Sequence, residues 1–167
     1  MKVSMLFLAA LCALSACQRE GAGGPFEVSG RLVVFNYRTA RATFLVTLSR
    51  IGPVTAGARV TAAFDNPAGG AALTVERKFF EGQDRIALET PPVHCIVKDR
   101  PYNVSIRVTG ADGALLQTLS TTVRSNQDES VLPAAPLVAG PLYDPNPKAF
   151  RPDGTTRFLV EKGCPAT

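Results

Sequence analysis

The stretch Tyr102–Val108 (YNVSIRV) alternates strictly: Tyr102, Val104, Ile106 and Val108 fall on one side, Asn103, Ser105 and Arg107 on the other. A two-residue period marks a strand with one buried face, because successive side chains leave opposite faces of a sheet. The device recurs along the chain. Ala42, Phe44, Val46 and Leu48 share a face, as do Val60, Ala62 and Phe64, and then Leu115, Gln117, Leu119, Thr121 and Val123. Val28, Leu32 and Val34 mark a first strand with Gly30 at a bulge or bend, Leu73 and Val75 a fourth running toward Phe79, and Ile86 and Leu88 a fifth. Turn-forming clusters separate them: Asp65–Gly70, Glu81–Asp84, Pro91-Pro92 and Ala111-Asp112-Gly113. These residues supply left-handed or proline-fixed backbone and stop ladders. Seven short strands, with no helical period outside the N-terminus, predict an all-β fold: a seven-stranded antiparallel β-sandwich over 26–123. There is no Trp and no antibody-type Cys spacing, so "immunoglobulin-like" describes architecture alone.

The N-terminus predicts an address. In MKVSMLFLAALCALSAC, Lys2 precedes an apolar run from Met5 to Leu14, and small residues lead to Cys17. The run is shorter than the roughly 20 residues that cross a bilayer as a helix, and the layout is that of an export signal. Leu14-Ser15-Ala16-Cys17 resembles the lipobox of bacterial lipoproteins, so 1–16 reads as a signal peptide and Cys17 as the lipidated residue. Ordinary signal-peptidase cleavage, for which Leu14 is a poor residue at −3, and an uncleaved anchor are the alternatives. Residues 17–25 then form a lipid attachment and a glycine-rich flexible tether. Gln18 stands where enteric inner-membrane lipoproteins carry Asp, which favours the periplasmic face of the outer membrane.

Export also bears on the cysteines. With Cys12 removed and Cys17 lipidated, Cys95 and Cys164 remain for one disulfide in an oxidising compartment. The alternative, a reactive Cys95 beside His94, is disfavoured because neighbours on an extended strand point to opposite faces. Beyond Val123 the composition changes. Residues 124–167 carry prolines at 133, 136, 141, 145, 147, 152 and 165, and end in Phe158-Leu159-Val160 and Cys164. This proline-rich extension is expected to wrap over the sandwich, pinned by a terminal strand and the disulfide. It serves either as a cover for a sheet edge, the preferred reading, or as a partner-binding strip through Leu137, Val138, Leu142 and Tyr143.

The search for chemistry returns little. A formal net charge of +4, with no block of like charges, gives no sign of nucleic-acid binding. One histidine cannot build a histidine-rich metal site, and no nucleophile elbow, phosphate loop or EF-hand spacing occurs. His94 as a general base would need an orienting carboxylate and a nucleophile, neither identified locally. Asp65, Asp84, Asp112 and Asp128-Glu129 could bind calcium from loops, though turns use Asp for their own backbone. No metal, cofactor or small-molecule substrate is expected, and the chain reads as non-enzymatic.

Three stretches carry a family resemblance: Val28-Ser29-Gly30-Arg31-Leu32, Ala42–Leu48, and Tyr102–Val108 followed by Asp112-Gly113 and Leu115. On these residues the domain resembles the YbaY family of small envelope lipoproteins, which takes in type III secretion pilotins of the YscW kind. The chain departs from that pattern at Thr39-Ala40-Arg41, in a longer insert around 50–70, and in the proline-rich tail. The resemblance implies a tethered, non-enzymatic β domain and, in the pilotin branch, an escort for an outer-membrane protein. The leading expectation is therefore a binding or assembly module for an envelope protein partner. The alternatives are a structural lipoprotein contacting peptidoglycan or lipid, and an enzyme using His94.

Overall fold

The computed structural model describes residues 23–160 and 163–165. The expected signal segment 1–16 and the expected lipidation site Cys17 lie outside the described residues. Strands run β1 (Phe26–Asn36), β2 (Arg41–Arg50), β3 (Arg59–Phe64), β4 (Leu73–Lys78), β5 (Arg85–Glu89), β6 (Tyr102–Thr109), β7 (Leu115–Val123), β8 (Val138–Ala139) and β9 (Asp144–Pro145). Two single-turn 3₁₀ segments, Glu129–Val131 and Pro147–Ala149, interrupt the tail. The fold is all-β, with three antiparallel sheets ordered β1-β2-β5, β4-β3-β6-β7 and β8-β9. The strand count is thus nine among the described residues, two more than expected, because the tail builds a hairpin of its own.

The period-two pattern decides what is buried. Phe44, Val46 and Leu48 of β2 and Val60, Ala62 and Phe64 of β3 are fully buried, and Tyr102, Val104, Ile106 and Val108 of β6 nearly so. Register stacks these rows, with Ala62 opposite Ile106 and Phe64 opposite Val104. The Phe44 ring reaches across the two large sheets to Tyr102 (5.1 Å) and Phe64 (6.4 Å). Such aromatic pairs add to area burial in holding sheets face to face.

β1 departs from the expected facing. Its register against β2 shifts between Val28 and Gly30, leaving Ser29 as the extra residue of a bulge. One inserted residue inverts the side-chain alternation beyond it. Val33 and Phe35, not Leu32 and Val34, pack on the core, and Leu32 is 45% exposed. Pro25, expected at the end of a flexible segment, is instead buried, and its carbonyl accepts the N–H groups of Ile51 (2.8 Å) and Gly52 (3.2 Å).

Gln117, on the inward face of β7, closes the seam between the two large sheets. Its Oε1 accepts the Phe26 N–H (3.0 Å) and its Nε2 donates to the Phe26 carbonyl (2.8 Å), so one side-chain amide completes a strand edge. A second link, Arg31 Nη1 to Thr121 Oγ1 (3.4 Å), joins the same two strands. Gly24 is part of this device, since a Cβ there would lie 2.1 Å from Gln117 Cδ.

Gln117→Leu strands a buried donor and acceptor of Phe26 and is expected to lower unfolding free energy by about 1–3 kcal/mol in urea titration. Gly24→Ala is destabilising in the wild type and close to neutral in a Gln117→Ala background, a coupling that a double-mutant cycle reads directly.

Candidate functional site

The chemistry-bearing residues gather at one end of the sandwich, where β1 turns into β2 and β5 crosses to β6. After β5, Thr90 clasps the Phe44 backbone (Thr90 N–H to Phe44 O, Phe44 N–H to Thr90 Oγ1, both 3.0 Å), and Val93 makes a single bridge to Ala42. Pro91-Pro92 precludes a continuing ladder. Cys95 then adopts φ +66°, a left-handed conformation rare outside glycine, asparagine and aspartate.

Three interactions hold that turn. The Tyr102 hydroxyl accepts the Val97 N–H (2.8 Å) and donates to the Cys95 carbonyl (3.4 Å). Reaching back from the start of a strand in this way is the tyrosine corner of immunoglobulin-type sandwiches. Glu129, 1% exposed, accepts the Cys95 N–H at Oε2 (2.6 Å), while its Oε1 meets His94 Nδ1 (2.8 Å). The disulfide Cys95–Cys164 ties the turn to the end of the tail, with Cα atoms 5.5 Å apart. The preferred use of both cysteines stands, and the thiol of Cys95 is consumed.

Glu129 is thereby the orienting carboxylate that the local sequence around His94 does not contain; it arrives from 35 residues downstream. A buried carboxylate is tolerated because both of its oxygens are bonded. Carboxylate and imidazole are two members of a nucleophile-activating set. Among the described residues Glu129 is the one hydrogen-bond partner of His94, whose side chain is 65% exposed. What the pair does in this geometry is brace the backbone of Cys95. Asp128 caps the turn below by accepting the hydroxyl and the N–H of Ser130, which hold its carboxyl below the usual carboxylate range. Beside it lies an open cleft of about 520 Å³ lined by Ile96, Val97, Leu159 and Val160 together with Lys98, Asp128 and Ser130.

The other loop carboxylates are dispersed. Asp65 accepts the backbone and side-chain N–H groups of Asn103, Asp84 pairs with Arg50, and Asp112 caps Ala114. No group of three or more metal-ligating side chains forms among the described residues.

The tail strip divides into a base and a tip. Leu137 and Val138 are half-buried, and the Leu137 N–H donates to the Arg38 carbonyl (3.0 Å), seating the hairpin on the β1–β2 turn. Val138 pairs with Pro145 and Ala139 with Asp144, so Leu142 (82% exposed) and Tyr143 (63%) stand at the tip. Tyr143 has φ +58°, with the Arg38 guanidinium 4.9 Å from its ring centre. Among the described residues the tail pairs with no strand of the two large sheets; it is seated on the β1–β2 turn and on the turn at Cys95. Among the described residues the expected terminal strand is present as one bridge, Pro133 with Phe158, on a partner segment where prolines 133 and 136 supply no backbone donor. Buried Leu132 and Ala149 anchor the segment.

From the sequence Glu129 is read only as a loop carboxylate, not as the partner of His94 and Cys95, and the Gln117 clasp is missed. For Gln117 a signal existed, a polar residue on an otherwise core-facing row; for Glu129 no periodicity marks a contact 35 residues away. No protein-family model matches this chain, and no curated protein matches it. Among the described residues no helix is long and apolar enough to cross a membrane.

Glu129→Ala leaves the buried Cys95 N–H without an acceptor and is expected to cost about 1–3 kcal/mol in denaturant unfolding. Glu129→Gln, which keeps an oxygen there, costs less, and His94→Ala, at an exposed partner, costs least.

Proposed function

We propose that this protein is a lipid-anchored, non-enzymatic β-sandwich of the bacterial envelope, held at Cys17 on the periplasmic face of the outer membrane, that binds an envelope protein through its tail hairpin. The observation that carries this reading is the hairpin tip. Leu142 and Tyr143 are exposed on a seated two-stranded base, and Tyr143 occupies a left-handed position. Such a position costs a bulky residue of order 1–3 kcal/mol, and glycine would occupy it without strain. A tyrosine kept there, with little contact to the fold beyond the Arg38 guanidinium, is a side chain held out for something else to meet.

An exposed Leu-Tyr pair offers the kind of contact that dominates protein interfaces, with Arg38 as a neighbouring hydrogen-bond donor. Burying two such side chains yields only about 3–6 kcal/mol, below what a micromolar complex requires. The tip therefore serves as an anchor point within a wider contact. Strands β1 and β2 set the tip at the end remote from Pro25, where the tether joins the domain, on the order of 30 Å away along β1. The lipobox-like Leu14–Cys17 and the likeness to envelope lipoproteins of the YbaY kind support the address and an escort or assembly role.

Labelled palmitate is expected on the full-length protein and absent from Cys17→Ala. A photo-crosslinking residue at position 142 is expected to capture one discrete envelope protein in cells. Tyr143→Gly should abolish that adduct while leaving thermal stability unchanged or slightly raised. An absent palmitate label, or no adduct at 142, sinks the proposal.

A further inference from the structure

The opposite end of the sandwich bears a second exposed apolar group. Three loops converge where the tether joins: 51–57, 79–84 and 110–114. The Gly57 N–H donates to Phe79 O (3.1 Å) and the Arg50 N–H to Asp84 O (2.9 Å), and a Cβ on Gly57 would touch Ala111 Cβ at 3.4 Å. From this end project Ile51 (54% exposed), Phe80 (61%) and, at the start of β7, Leu115 (54%), which a register shift against β6 turns off the inward row expected of it with Gln117. Ile51 lies directly beside the incoming chain, since its N–H is bonded to the Pro25 carbonyl. Phe80 follows Phe79, whose buried ring packs edge-on against Phe26 at 5.8 Å. Its backbone N–H is also held by Gln83 Oε1 (3.3 Å). The projecting residues therefore stand on fixed backbone.

We infer that this end is a lipid-docking face, on which Ile51, Phe80 and Leu115 enter the boundary between headgroups and acyl chains; the inference rests on the proposed lipidation at Cys17. The length of the tether argues for this occupant. Between Cys17 and the fixed Pro25 run seven residues of glycine-rich composition, about 15 Å in root-mean-square reach. A lipid hook at one end of so short a leash holds these side chains against the bilayer at an effective concentration in the millimolar range. A patch too small to bind a membrane from solution is sufficient under those conditions.

The charges at this end make the docking apolar in kind. Arg50 pairs with Asp84 (2.7 Å) and Arg59 with Glu76, and the exposed Arg77 and Arg85, in no ion pair among the described residues, are balanced at this end by Glu27, Glu81 and Asp112. Lys78 Nζ lies 5.8 Å from the Phe80 ring centre, an arrangement in which the stem follows the apolar surface while the ammonium stays in water. Attraction by anionic headgroups is weak in such an arrangement, and salt has little to screen. Docking at this end also fixes orientation, because the Leu142–Tyr143 tip sits at the other end of β1 and is then held away from the bilayer.

The chain contains no Trp, so an introduced one reports alone. Full-length lipidated Phe80→Trp and, separately, Leu142→Trp are purified from membranes and reconstituted into phosphatidylethanolamine–phosphatidylglycerol vesicles with brominated acyl chains. Phe80→Trp is expected to emit at shorter wavelength and to be quenched, equally at low and high salt, and adding Ile51→Asp should reduce the quenching. Leu142→Trp should show neither effect. Flotation with the vesicles but no quenching at position 80 overturns the docking face and leaves the anchor intact. Failure to float overturns the anchor and the docking together. Quenching at both positions, or quenching at position 80 that salt removes, overturns the docking as described. Both substituted positions are exposed, and matched thermal unfolding of the variants checks that the fold is retained.

Discussion

Tyr102 joins the core of this protein to everything built outside it. Its ring is 2% exposed and lies 5.1 Å from Phe44, between the two large sheets, while its hydroxyl sits between Val97 N–H and Cys95 O. The contact that packs the sandwich therefore also fixes the loop from which the disulfide departs. Glu129 approaches that loop from the tail and supplies the acceptor that the left-handed Cys95 requires. The tail is thus attached at Cys164, at Glu129 and at Arg38, and a proline-rich segment with few ladder bonds becomes a defined platform.

The part of the fold legible in the chain is the part governed by local alternation. Residues 41–48, 59–64 and 102–108 bury the side chains that a two-residue period assigns to them. Failure of the same rule in β1 has one local cause: Ser29 is inserted opposite β2, and every residue after it changes face. A pattern reading locates a glycine where a bulge can form, but it does not choose between a bulge and a bend. That choice depends on the partner strand.

The site was legible where residue supply alone decided the outcome, as for Cys95 and Cys164. It was not legible where a side chain acts across the fold. The Gln117 clasp on Phe26 spans 91 positions and the Glu129 contacts span 34 and 35. Neither leaves a spacing that a linear motif could encode. The tail strip was found by composition, yet composition could not separate its base from its tip. Leu137 and Leu142 are chemically identical, and only the Val138–Pro145 pairing makes one a seat and the other a projection.

Backbone strain and apolar exposure are distributed differently between the two ends. Among the described residues the non-glycine left-handed positions are Ala40, Cys95, Asp99 and Tyr143, all at the end remote from Pro25. At the Pro25 end the corresponding positions in the loops are Gly57, Gly82 and Gly113, where no Cβ is present to be strained. Loops that need only to close have glycine where the backbone turns left. At Cys95 the disulfide and Glu129 hold the strained turn, whereas Tyr143 retains its side chain in a left-handed position with the Arg38 guanidinium against its ring. Strain retained at these side-chain-bearing positions points toward the remote end as the place where side-chain identity matters. At the Pro25 end, by contrast, exposed Ile51, Phe80 and Leu115 stand on relaxed turns and offer area rather than geometry. A fluid lipid surface can use area alone, whereas a folded partner requires geometry. That division suits the two contacts proposed for this sandwich, a bilayer at one end and a protein at the other.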